Sequence, residues 1–117
     1  MMERIWLSQL PSTDPAFGPL QRAERLSDPE DWQVLAFWHR QAVAEAAWGA
    51  GLDAMEDRAR EKREFAARQA ERADDPSDLP GVHAAELEAL GYALGLTAVR
   101  VAVRDRQQAL ARAGVAA

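Results

Sequence analysis

At 117 residues and 12.9 kDa, with 48% hydrophobic residues and a net charge of −5, the chain fits one domain with one modest core. It has no cysteine, which excludes disulfides and thiolate metal sites, and no apolar run near the ~20 residues of a membrane span. Residues 1–95 hold 18 acids and 10 bases, a net of −8, which argues against non-specific nucleic-acid binding, whereas residues 96–117 set Arg100, Arg104, Arg106 and Arg112 against Asp105, a net of +3.

Residues 1–27 carry Pro11, Pro15, Gly18 and Pro19, a spacing that forbids a regular helix. An extended arm is expected there, with a short turn over 20–26. Its apolar residues, Ile5, Trp6, Leu7, Leu10, Phe17 and Leu20, either wrap the helices and complete the core or dock on a partner. No signal peptide is read at this end, and the expected compartment is the cytoplasm.

A helix is predicted from Pro29, with Asp28 as N-cap, proline at the first helical position and Asp31 reaching back. Val34, Leu35, Trp38, Ala42, Ala46 and Ala47 fall on one stripe. Gly49 and Gly51 predict a break, with one continuous helix over 29–73 as the alternative. From Leu52 to Ala73 the stripe reads Leu52, Met55, Ala59, Ala66, Ala70 and Ala73, with Lys62, the sole lysine, on the missing beat. That narrow seam suits a close partner helix. Glu56–Arg60 and Arg60–Glu64 are opposite charges at i,i+4, each worth a few tenths of a kcal/mol at most.

Asp74 to Gly81 reads as the turn of a helical hairpin. Beyond it, Val82, Leu87, Leu90, Leu94, Ala98 and Val101 share one face, and Leu96, Val99, Val103 and Leu110 a second. The stretch from Leu94 to Val103, apolar nearly all round, implies central burial. Val99, Val101 and Val103 also alternate as in a strand, but nothing else in the chain would pair with one. Gly91 and Gly95 suit close helix packing rather than a ligand loop, and Gly114 is a helix stop.

Chemistry-bearing patterns are sparse. His39 and His83 have no carboxylates at metal-ligand spacing and read as structural or surface residues. No serine sits in a nucleophile elbow, and no glycine loop cradles phosphate. No catalytic, cofactor-binding or metal-binding residue is assigned, and the protein is read as non-enzymatic. Four tryptophans are many for so short a chain, and a large aromatic suits a core and an interface alike. Trp6, Phe17, Trp32 and Trp48 are the candidate partner-binding residues.

Residues 84–112 loosely resemble the helix-turn-helix of bacterial regulators and sigma factors. They share Ala-Leu-Gly-Leu-Thr at 93–97, a valine four residues on at Val101, and an arginine-rich second helix. The resemblance implies Thr97 capping a recognition helix whose Arg100, Arg104 and Arg106 face DNA. Asp105 departs from the pattern, standing where such helices place an apolar core residue. By residue pattern alone, the segment is one long helix with snorkelling arginines.

These features describe a single all-α domain over 1–117: an arm over 1–27 and a small helical bundle over 28–117. The bundle is built on an antiparallel hairpin of Leu52–Ala73 and Val82–Ala113, with the Pro29–Trp48 helix packed across it. The expected role is protein–protein interaction or assembly: an adaptor, a complex subunit or a small inhibitor of a larger machine, of the size and charge common among phage accessory proteins. The partner is another protein or a second copy in a homo-oligomer, with nucleic acid the alternative and no membrane. The acidic bulk suits a partner with a basic face.

Overall fold

The computed structural model describes Gln21 and residues 28–114. The arm expected over 1–27, with Trp6 and Phe17, otherwise lies outside the described residues. Among those described, the chain forms three helices and no strand: α1 (Pro29–Ala47), α2 (Leu52–Arg72) and α3 (Leu79–Arg112), with a 3-10 turn at Pro76–Asp78 before the last. The all-α class therefore holds.

Local chemistry sets each boundary. The Asp28 carboxylate accepts the Glu30 N–H at 2.8 Å, and Pro29 follows. Asp31 does not reach back as predicted; its Oδ1 lies 3.0 Å from His83 Nε2 on α3. Gly49, at φ +98°, ends α1. The Gly49 N–H donates to Ala46 O at 3.0 Å and the Ala50 N–H to Glu45 O at 2.9 Å, the paired bonds of a glycine C-cap. The break at Gly49–Gly51 thus separates two helices.

The 74–81 turn is shorter than predicted. Asp75 accepts the Ser77 N–H while Asp78 accepts the Asp75 N–H, a reciprocal cap on the 3-10 turn. The Ser77 bonds hold the Asp75 carboxyl below its ordinary pKa. The next helix then starts at Leu79 rather than Val82, because Pro80 falls in its first turn, where a missing N–H costs nothing. It runs unbroken to Arg112 and stops at Gly114, φ +71°. Val99, Val101 and Val103 are helical within it.

Both α1 and α2 pack on α3 rather than chiefly on each other. Along α1 the partners rise together, Leu35 at Gly91 and His39 at Gly95, so α1 runs alongside α3 in the same direction instead of across it. Along α2 they run oppositely: Lys62 meets Glu88, Arg58 meets Tyr92 and Glu56 meets Arg100. The two glycines set the α1 approach. A Cβ on Gly91 would lie 2.6 Å from Leu35 O, and one on Gly95 2.6 Å from His39 O.

The core mixes alanine and leucine with Met55, Val82 and Tyr92. Ala42, Met55, Ala59, Tyr92 and Leu96 form a buried cluster, and the largest fully buried side chains are Tyr92, Leu35 and Met55. Burial on α3 ends at Thr97, and Val103 is 37% exposed, so the central burial predicted through Val103 does not occur. Past Val103 the cause is length. α3 has 34 residues against 19 in α1 and 21 in α2, roughly 51 Å against 28 and 32 Å at 1.5 Å per residue. The last turns of α3 therefore outrun their neighbours. Val34, Ala47 and Ala70 of the predicted stripes are exposed as well.

Candidate functional site

The three helices meet around Tyr92. Placed on α3 between Gly91 and Gly95, where α1 comes close, it is 1% exposed. Its hydroxyl donates to Glu45 Oε2 of α1 and accepts from Arg58 Nε of α2 at 3.4 Å; Arg58 Nε also lies 3.1 Å from Glu45 Oε1. Lys62 occupies the missing beat of the α2 seam for a reason. Its Nζ is 2.7 Å from Glu88 Oε2 and sits over the Trp38 and Tyr92 rings at 4.6 and 5.3 Å from their centroids. Carboxylate and π faces together satisfy a cation on an otherwise apolar seam. Trp38 in turn packs edge-on against Phe37, centroids 5.1 Å apart.

Burial first, and then the bond to Glu45, push the Tyr92 phenol up to about 12. At neutral pH it keeps its proton and donates, so the cluster clamps the three helices together. Tyr92 is the sole tyrosine, so tyrosinate absorbance reads it directly. Titration of the folded protein is expected at about pH 12, falling back towards 10 on unfolding. A folded pKa above the unfolded one stabilises fully below pH 10, and that contribution is lost as pH rises from 10 to about 12. A native midpoint at 10 contradicts the clamp.

The second feature is an open groove of about 770 Å³ between the end of α1 and the stretch of α3 after Thr97, with Val43, Ala46 and Ala47 on one side and Ala98, Val99 and Val103 on the other. Trp48, directly after Ala47, is 83% exposed. Arg40 lines the same groove. A smaller groove lies between α2 and α3, walled by Ala66, Ala70, Leu87 and Leu90 with Arg63 and Glu86.

The structure distributes the predicted site residues as follows. Trp48 stands out in solvent, next in the chain to groove-lining Ala47, while Trp32 is half-buried and engaged. Trp6 and Phe17 lie outside the described residues. Thr97 caps nothing: it is 3% exposed within unbroken α3, and its Oγ1 donates to Ala93 O at 3.0 Å. The turn that the helix-turn-helix resemblance places at 93–97 is absent, because that segment packs against α1 as continuous helix. Arg100 is held by Glu56 of α2, and Arg104 lies 3.6 Å from its neighbour Asp105, which is exposed rather than core. Glu56, predicted to pair with Arg60, is thereby taken, and Arg60 bonds Asp57 at 2.9 Å and reaches Glu64 at 3.9 Å.

The groove was not legible in the pattern of apolar residues, because their stripe continues past the point where cover ends. The Tyr92 cluster left two signals: a lone lysine in an apolar seam and a tyrosine between two glycines. Among the described residues no group of three His, Asp or Glu side chains forms a metal-binding set, and no helix is long and apolar enough to cross a membrane. No protein-family profile, curated protein or solved structure matches the chain.

Proposed function

We propose that the protein acts without catalysis, by binding another protein as an adaptor, complex subunit or small inhibitor of a larger assembly. The observation that carries this is Trp48, 83% exposed and next in the chain to Ala47, which lines an open apolar groove at one end of the bundle. Isolated exposed apolar residues are ordinary, but a tryptophan bordering a contiguous apolar surface has the make-up of an interface anchor. Val103 at 37% and Leu110 at 47% exposure extend that surface along α3.

Affinity capture with the full chain from its source lysate, followed by native mass measurement, tests the proposal. The expected result is a stoichiometric complex heavier than 12.9 kDa, with recovery reduced about tenfold or more by Trp48→Ala. A chain that stays monomeric and captures nothing overturns it.

Duplex DNA binding is the second reading, favoured by one observation: the arginine-bearing end of α3 runs past the ends of α1 and α2, the helices packed on it among the described residues, as a groove reader would require. Against it stands the −8 charge of residues 1–95, which repels phosphate. Binding of duplex DNA near physiological salt, lost in Arg104→Ala/Arg106→Ala, would select this reading.

A further inference from the structure

We infer that the α1–α3 groove takes an acidic amphipathic helix of another protein, an inference that rests on the protein-binding reading above. The groove has the form that helix-in-groove recognition uses: two helices as walls and an apolar floor. Val99, Ala102, Val103, Arg106, Ala109 and Leu110 fall at i, i+3, i+4, i+7, i+10 and i+11, one face of α3. That face continues the one on which α1 already lies through Gly91 and Gly95. Beyond Ala47 it has no α1 residue to cover it, so a helix entering there extends the existing packing. The small Ala98 and Ala102 let it come close.

Charge names the occupant. Arg40 lines the groove, and Arg106 projects from the same face of α3. Residues 96–117 carry a net +3 within a chain whose remainder is −8. The acids at this end are largely occupied: Glu45 and Glu56 are ion-paired with Arg58 and Arg100, Asp57 is bonded to Arg60, and Asp105 lies beside Arg104. Asp53, exposed in the first turn of α2, is the acid of this end that no ion pair offsets among the described residues. An acidic helix is thus drawn to the groove and turned away from the rest of the surface. A second copy meeting end to end is disfavoured, because Arg106 and Arg112 of the two ends would face each other.

The test uses the full chain and two labelled synthetic peptides of ~18 residues, about five helical turns. One carries leucine and alanine on one face and glutamate on the other; its counterpart has lysine for glutamate. Fluorescence anisotropy should show the acidic peptide binding, weaker in higher salt, and the lysine peptide not binding. Val103→Asp and Arg106→Glu should each weaken binding about tenfold or more, with helical circular dichroism unchanged because both side chains are surface-exposed. The inference falls if neither peptide binds, if both bind alike, or if the variants have no effect. It falls too if the protein dimerises and Val103→Asp dissolves the dimer, which makes a second copy the occupant. Lysate capture that survives both variants removes the groove assignment alone; absent capture removes the protein-binding reading as well.

Discussion

Alanine at Gly95 is expected to destabilise the protein by about 1–3 kcal/mol, the range for overpacking, although helix propensity alone favours alanine over glycine by roughly 1 kcal/mol. The sign reverses because of what the methyl group meets. It would lie 2.6 Å from His39 O and 2.7 Å from the Ala42 Cβ. Neither atom ends a flexible side chain, so α1 must move as a body. Gly91 is alike, with Leu35 O at 2.6 Å and the Trp38 Cβ at 2.9 Å. Each methyl group wedges the same helix pair, so the double variant should lose less than the sum of the singles. Gly81 serves as control: it lies in the first turn of α3, and a Cβ there has nothing within 4 Å. Gly81→Ala should be neutral or slightly stabilising. Urea unfolding midpoints measure all four variants, and a Gly95→Ala protein as stable as the parent contradicts the close α1–α3 packing.

Tyr92→Ala should cost about 3–5 kcal/mol, the range for removing a large buried aromatic. That is a large share of the 5–15 kcal/mol that holds a typical domain together. The side chain is among the largest fully buried ones, and it touches charged groups from both neighbouring helices. Tyr92→Phe separates the two contributions. It keeps the ring and its contact with Lys62 but takes the donor from Glu45, for about 1 kcal/mol, the low end for an unmet polar group. Water softens that loss, since the Glu45 side chain is 29% exposed. Denaturant unfolding of both variants should therefore rank alanine well below phenylalanine. Equal losses would mean that the hydroxyl, not the ring, carries the clamp.

Much of the secondary structure was legible because it is decided locally. Asp28 before Pro29, the glycines at 49 and 51, and Gly114 act within a few residues of the boundaries they set, through caps and backbone conformations that need no distant partner. The helical character of 99–103 followed from the lack of a second strand. What the sequence could not supply was the extent of cover. A stripe such as Leu96, Val99, Val103 and Leu110 looks the same whether a neighbour lies on it or not, and the place where α1 ends relative to α3 depends on the register fixed at Gly91 and Gly95. Pairing was equally non-local. Glu56 met Arg100 rather than Arg60, and Asp31 met His83 rather than its own helix end, because a side chain bonds whatever the tertiary packing brings within about 3 Å. By itself, then, the sequence determined an all-α chain, most of its helix boundaries though not the start of α3, and its charge divided between a −8 body and a +3 end. The Tyr92–Lys62 junction and the open groove were decided only when three helices of unequal length packed together, since burial belongs to the pair of surfaces in contact and not to either stripe alone.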